Sequence, residues 1–172
     1  MRNFLLGVLL TLCVFAVGIL VYLRLGIPEV RADIPPSRWE NSIVSMSVHA
    51  SVRREAPELP NPLKITDETL IAGGKFYLDD CSGCHGTPGK PFKGKGPVVF
   101  PPIPELPVDG TEYTEAQIFW IAKHGIRRSA MFANGVFAKD DQLWSAAAYV
   151  KRMNALPAAV QEALAKPAQA QH

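Results

Sequence analysis

Residues 73–86 read GGKFYLDDCSGCHG, with two cysteines three positions apart and a histidine directly after the second. Side chains three positions apart lie on one side of a helical turn, so the Cys81 and Cys84 thiols can bond to one flat molecule. The His85 imidazole is then directed at a metal ion in that molecule from the same face. The two residues between the cysteines are small, which lets the backbone lie close to such a group.

This C-x-x-C-H spacing is an attachment sequence for haem c, in which two thioethers hold the porphyrin and the histidine ligates the iron. A thioredoxin-like redox pair also uses C-x-x-C but follows a strand, and this sequence has no strand pattern. A zinc site needs further ligands at suitable spacing, and the remaining cysteine, Cys13, lies in an apolar run. The sequence therefore predicts one covalent haem c, bound by Cys81, Cys84 and His85, with His85 as a ligand of the iron.

Residues 4–23 (FLLGVLLTLCVFAVGILVYL) form an uncharged run of 20. At about 1.5 Å rise per residue, such a helix spans the ~30 Å hydrocarbon core of a bilayer. A cleaved secretory signal is the alternative, with a cleavage site at 30–32, but its apolar region is only about 7–15 residues long. The run favours a retained transmembrane anchor over 1–25. Because haem c is attached outside the bacterial cytoplasm, we expect a single-pass protein of the cytoplasmic (inner) membrane with its haem domain in the periplasm.

Beyond the anchor, the sequence divides into a tether over 26–65, a globular domain over 66–156 and a C-terminal tail over 157–172. The whole chain carries 18 lysines and arginines against 16 aspartates and glutamates, a net charge of +2. This balance gives no case for binding nucleic acid. The tail is rich in alanine and glutamine and predicts one short frayed helix followed by disorder.

The tether is rich in proline, serine and charged residues and is expected to carry at most one helix, from about Ser37 to Glu55. A three-to-four spacing places its apolar residues on one face, which can lie on the domain or on a lipid surface. These residues are Trp39, Ile43, Met46 and Ala50. A partly ordered linker is the alternative.

The domain sequence predicts three helices. The first covers about 67–79 after the N-cap Thr66, the second opens with a capping box at Thr114 and ends at Gly125, and the third covers about 140–154. The third helix carries an apolar stripe of Leu143, Trp144, Ala147, Tyr149 and Val150. No segment alternates with a strand period over a useful length, so we expect an all-α fold.

Residues 86–109, between the first two of these helices, contain seven prolines and four glycines, which argues against any helix there. A loop of that length in a compact domain usually serves a function. We expect it to wrap the haem.

Residues from about Thr66 to Asn154 resemble the class I, mono-haem cytochromes c. The shared order is a helix ending in the haem motif, a proline-rich loop, a methionine loop and a closing aromatic helix. The stretch 73–86 is similar to the family's glycine and aromatic approach to the motif, and 143–150 (LWSAAAYV) is similar to its closing helix. The resemblance implies a cytochrome c domain of three main helices around one haem.

The same resemblance implies how the outer helices of the domain meet. They are expected to cross where Gly73 or Gly74 allows close approach, with Tyr77 and Tyr149 packed near the crossing. Trp144 is expected to be a core residue. On the proximal side of the haem, a proline-loop carbonyl is expected to accept the ring N–H of the ligating histidine. The candidates for that carbonyl are Pro101 and Pro102.

The second iron ligand is expected to be a methionine thioether, which raises the reduction potential of a haem. Met131 is the candidate, because it lies in the loop between the second and third helices, about where the family places its ligand. The resemblance is to a Gly-Ile-x-x-(Ser/Thr)-x-Met pattern, matched by Gly125, Ile126, Ser129 and Met131. The family commonly has proline after this methionine, whereas this chain has Phe132. The alternative is a core methionine, with the iron bound by His124, by His49 or by nothing.

These features predict a one-electron carrier rather than an enzyme. Basic residues in the loops around the haem edge are expected to attract acidic surfaces of redox partner proteins. They are Lys90, Lys93, Lys95, Lys123, Arg127 and Arg128. A solvated charged face is the alternative for these residues. Two other functions stay open: a haem subunit of a larger membrane oxidoreductase complex, and a five-coordinate haem enzyme or gas sensor.

Overall fold

The computed structural model describes residues 1–31, 33–89 and 99–165. It divides into two compact units, Met1–Ile34 and Pro35–His172. The second unit begins well before the predicted domain boundary at 66, because the helix of the predicted tether belongs to it.

The first unit contains one helix, α1, at Arg2–Arg24. Its most apolar stretch has a mean hydropathy of 2.9, and no residue of that stretch is buried. Among the described residues, α1 alone is long and apolar enough to cross a membrane, which is consistent with a membrane anchor.

Helices are the only regular secondary structure in the described part of the second unit, and no strand occurs there, which confirms the all-α prediction. Its elements in chain order are α2 (Arg38–Glu55), α3 (Asp67–Phe76), a π-helical turn (Tyr77–Cys81), α4 (Ser82–His85), α5 (Leu106–Asp109), α6 (Glu115–His124), a 3-10 turn (Asn134–Val136), α7 (Asp140–Arg152) and α8 (Ala158–Ala165).

Helices α3 and α7 pack closely, and the contact depends on glycine. A Cβ at Gly73 would overlap the carbonyl group of Ser145 in α7. Next to this contact the Tyr77 and Tyr149 rings lie with their centroids 5.4 Å apart, and both side chains are buried. The expected packing of these two tyrosines is therefore confirmed.

Helix α6 also packs on α7, through stacked aromatic rings. The Phe119 and Trp144 ring centroids are 4.1 Å apart, with 6° between their planes, and both side chains are buried in the core. Thr114 and Gln117 form the capping box that was predicted at the start of α6. Gly125 ends the helix with a φ of +66°.

Helix α2 packs on α6 with the face opposite to its apolar stripe. Ser37 caps its N-terminus by accepting a hydrogen bond from the Glu40 backbone N–H. Val52 and Ala56 are buried at its C-terminal end. His49 adds a hydrogen bond from this helix to the segment before α6, because its Nδ1 lies 2.6 Å from the hydroxyl of Tyr113.

Predictions about two irregular segments were partly wrong. The proline-rich loop does contain a helical turn, α5, because Pro107 occupies one of its first two positions, where the missing N–H has no helical partner to lose. The tail forms the short helix that was predicted, α8, but this helix is not frayed, because it packs on the domain with Val160 fully buried against Leu70 and Ala148. The disorder predicted after it falls on 166–172, which lie outside the described residues.

Candidate haem site

The C-x-x-C-H motif lies on a continuous helical path that changes its winding. Helix α3 passes into the π-helical turn, which ends at Cys81, and the chain then returns to α-helical geometry in α4. The Ser82 hydroxyl donates to the Leu78 carbonyl at 2.7 Å across this change. Such π-helical turns inside helices occur frequently at functional sites. The two thiols and the imidazole therefore lie on one short helical segment, from Cys81 to His85.

The end of the motif is held by a buried hydrogen bond. Gly86 adopts a φ of +84° and terminates α4. The hydroxyl of Tyr77, which is fully buried, donates to the Gly86 carbonyl at 2.7 Å. This bond fixes the direction in which the chain leaves His85.

The imidazole of His85 is oriented by the proline-rich loop. Its Nδ1 lies 3.0 Å from the carbonyl oxygen of Pro104. A carbonyl can only accept, so Nδ1 carries the proton and Nε2 keeps its lone pair for a metal. The type of partner was predicted correctly, but the residue was not, because the carbonyl belongs to Pro104 and not to Pro101 or Pro102. Three prolines lie within four positions here, and the sequence did not reveal which one faces the ring.

Burial keeps this imidazole in its neutral form. Desolvation lowers the pKa of His85, and the bond to Pro104 partly opposes that shift. Because a histidine binds metal through its neutral ring, the lowered pKa of His85 agrees with a ligating role.

The Cys81 thiol does not have the character of a thioredoxin-like cysteine. Burial, with smaller contributions from Asp80 and Cys84, raises the pKa of the Cys81 thiol to about 12. A redox-active C-x-x-C pair requires a lowered thiol pKa, because the thiolate is the attacking species. The local electrostatics therefore argue against thiol–disulfide exchange at this pair.

A zinc site also fails to fit. Within residues 1–31, 33–89 and 99–165 there is no cluster of three or more histidine, cysteine or acidic side chains that could hold a metal. The donor set at the motif is instead two thiols and one imidazole whose free nitrogen is Nε2. That set fits a haem c, whose porphyrin the two thiols would bond and whose iron Nε2 of His85 would ligate.

Met131 lies in a loop closed by its own hydrogen bonds. The Ile126 N–H donates to the Met131 carbonyl at 2.8 Å, and the Met131 N–H donates to the Ser129 hydroxyl oxygen at 3.0 Å. That hydroxyl in turn donates to the Ile126 carbonyl at 2.7 Å. A Cβ at Gly125 would come within 2.6 Å of the Met131 carbonyl oxygen, so this position requires glycine. The structure brings together every matched residue of the Gly-Ile-x-x-Ser-x-Met pattern.

Sequence reasoning missed Asn134 in this loop. Its side chain is buried, and Nδ2 donates to the Ala122 carbonyl in α6 at 2.9 Å. This bond ties the methionine loop to α6. A buried asparagine inside a loop carries no sequence pattern of its own, although the following Gly135 marks a turn.

The basic residues predicted around the site differ in their surroundings. Lys123 pairs with Asp140 at 2.8 Å and lies over the Phe119 ring. Arg127 and Arg128 are exposed. Lys90, Lys93 and Lys95 lie outside the described residues.

The two alternative histidine ligands have other neighbours. His49 is hydrogen-bonded to Tyr113 through Nδ1. His124 is exposed at the end of α6, with its ring 5.1 Å from that of Trp120.

Comparison with known proteins adds one finding. Residues 68–150, just under half of the chain, match the family model described as "Cytochrome C oxidase, cbb3-type, subunit III". No curated protein and no solved structure matches the chain. The matched segment belongs to the class I, mono-haem cytochromes c.

This cytochrome c domain spans α3 to most of α7 and includes the whole C-x-x-C-H motif and Met131. Membership of the family implies haem c as the cofactor and electron transfer as the role. Helices α2 and α8 lie outside the matched segment.

Proposed function

We propose that this protein is a membrane-anchored one-electron carrier with a single haem c bonded to Cys81 and Cys84 and ligated by His85 and Met131. The observation that carries the proposal is the hydrogen bond from His85 Nδ1 to the Pro104 carbonyl. His85 is the residue directly after the thiol pair of a cytochrome c domain. The hydrogen bond leaves Nε2 free and fixes the ring, as expected for an axial ligand.

Reversible one-electron exchange is the chemistry that a bound haem supplies. The protein would have to hold His85 and Met131 in the same positions in the two oxidation states. The Tyr77 bond to Gly86 and the loop carbonyl of Pro104 would do this for His85. The hydrogen-bonded turn of Ile126, Ser129 and Met131 would do the same for Met131.

Replacement of Met131 tests the ligand set. In Met131→Ala we expect the oxidised protein to lose the far-red charge-transfer band of methionine-ligated haem, and the midpoint potential to fall, because a thioether ligand raises it. The reduced variant should then bind carbon monoxide at the open position. The measurements are the absorption spectrum, a redox titration and carbon monoxide difference spectra.

Met153→Leu is the control, because Met153 is buried beside Tyr77 and Tyr149 and this exchange conserves its volume. It should leave the band and the potential unchanged. The ligand assignment is wrong if the band survives in Met131→Ala. A wild-type protein that already binds carbon monoxide would point instead to a five-coordinate enzyme or gas sensor.

The partners we propose are redox proteins with acidic docking surfaces, attracted by basic side chains near the site. The exposed Arg127 and Arg128 support this, since both follow α6 in the methionine loop. Exposed charges of this kind act mainly on association rates and are sensitive to salt. Lys123 is already paired with Asp140 and contributes less.

The location we propose is the bacterial cytoplasmic membrane, with α1 as a single-pass anchor and the haem domain in the periplasm. The length and apolar composition of α1 support the anchor. The periplasmic side follows from the chemistry, because haem c is attached outside the cytoplasm.

A second candidate function is a haem subunit of a larger membrane complex. The observation in its favour is the family description, which names a subunit of a cbb3-type oxidase. Purification from the membrane separates the two candidates, and its expected outcome depends on the surface of α1.

A further inference from the structure

Helix α2 has an apolar stripe whose large side chains are exposed. Trp39 is 70% exposed, Ile43 50% and Met46 66%. At 3.6 residues per turn, these positions and Ala50 fall within about 60° of one another around the helix. The stripe therefore forms a continuous line along the outer side of α2.

The opposite face of α2 is fixed on the domain, so the helix does not turn its stripe inward. Val52 and Ala56 are buried there, and His49 is hydrogen-bonded to Tyr113. The stripe and the buried face thus belong to one rigid element with two different surroundings.

The chemistry of the stripe fits the boundary of a lipid bilayer. Tryptophan is enriched at the depth of lipid headgroups, and interfacial helices combine such residues with arginines at their edges. Arg38 begins α2, and Arg53 and Arg54 lie in its last turn. A second protein chain fits less well, because a stable interface needs about 20–30 residues on each side and the stripe offers four.

The position of α2 in the chain also favours a membrane. Only residues 25–37 separate it from α1. In an anchored chain this short connection holds α2 at a high effective concentration near the bilayer, so even a weak apolar contact is occupied.

We propose that α2 is an interfacial helix that places Trp39, Ile43 and Met46 among the lipid headgroups of the bilayer in which α1 is anchored. Because the other face of α2 is packed on the domain, this contact holds the haem domain at the membrane surface. Its redox partners would then be proteins embedded in or bound to the same membrane. The inference rests on the membrane anchoring included in the proposed function.

A nitroxide spin label on α2 tests this inference in the full-length holoprotein. The label is attached to Met46→Cys in a Cys13→Ala background, where the haem-bound cysteines cannot react. The protein is reconstituted into vesicles of phosphatidylethanolamine and phosphatidylglycerol. Power-saturation electron paramagnetic resonance then compares collisions with oxygen, which concentrates in lipid, and with a water-soluble nickel chelate.

The matched control is Asn41→Cys, which lies about five residues before position 46 and about 140° from it around the same helix. Asn41 is exposed, like Met46, but lies outside the stripe. We expect a ratio of oxygen to nickel collisions several-fold higher at position 46 than at position 41. Adding Trp39→Gln and Ile43→Gln should return the label at 46 to the ratio seen at 41.

Three results would overturn the inference: equal ratios at the two positions, a label at 46 shielded from both collision partners by protein, or no effect of the glutamine substitutions. The absorption spectrum and an alkaline carbonate wash of the same vesicles separate this failure from that of the proposed function. A water-exposed label on a carbonate-resistant protein with a methionine-ligated spectrum refutes only the docking of α2. Extraction by carbonate refutes the anchor itself.

Discussion

Gly73 and Gly74 are neighbours in α3 but face different parts of the domain. A Cβ at Gly73 would overlap backbone atoms of Ser145, which cannot move without displacing α7. A Cβ at Gly74 would meet the end of the flexible Leu164 side chain at 2.5 Å. The close helix approach that the family resemblance assigned to either glycine therefore depends mainly on the first.

We expect Gly73→Ala to lower the free energy of unfolding by about 1–3 kcal/mol or more, because the added methyl group overpacks a backbone contact. In Gly74→Ala the strain should be largely offset by the gain of about 0.5–1 kcal/mol that alanine brings to a helix interior. Denaturant titration of both variants, followed by circular dichroism, measures the difference. Equal losses in the two variants would contradict the assignment of the helix contact to Gly73.

At the residue scale, the predicted chemistry rests on residue type and spacing, whereas the exact contacts depend on the fold. The haem-binding roles of Cys81, Cys84 and His85 stay predictions, and they follow from residue type and spacing because few other sites need this combination. Pro104 was missed because three prolines of the same loop offer equivalent carbonyls, and only the folded path of the loop selects one. Asn134 was missed because its role depends on a distant carbonyl that no local pattern reveals.

At the element scale, the helices with strong local signals were predicted almost to the residue. The capping box at Thr114 and the glycine at 125 bound α6, and the apolar stripe of α7 is buried as expected. The order of helix α8 was underestimated, because its alanine-rich sequence shows little amphipathic pattern. Its order comes from tertiary packing instead, as is usual for short helices.

Helix α8 is expected to contribute to stability without affecting the haem. In Val160→Ala, the loss of two buried methyl groups against Leu70 and Ala148 should lower the free energy of unfolding by about 1.5–3 kcal/mol. The haem absorption spectrum should not change, because the buried neighbours of Val160 are not residues of the candidate haem site. Ala159→Ser, at the exposed neighbouring position, is the control and should cost less than about 0.5 kcal/mol. If Val160→Ala and the control are equally stable, α8 does not hold the domain together.

At the scale of the whole molecule, the surface of α1 bears on whether the protein works alone. Helices that associate inside membranes do so through close packing of small residues and through polar or charged side chains that require partners. Between Phe4 and Leu23 the sequence has no charged residue. The hydroxyl of Thr11 is already satisfied, since it donates to the Gly7 carbonyl at 2.9 Å. The anchor therefore carries no charged side chain that would need a partner from a companion helix.

We accordingly expect the cytochrome to leave the membrane alone when membranes are solubilised in a mild detergent. A tagged chain should migrate in native gels as one haem-staining species that contains no other protein in stoichiometric amount. Raising the detergent concentration should not change its apparent size, because a lipid-facing helix exchanges only lipid for detergent. A larger haem-staining species that breaks down to the single chain as detergent increases would favour the subunit function, since its helix would then be held by protein contacts.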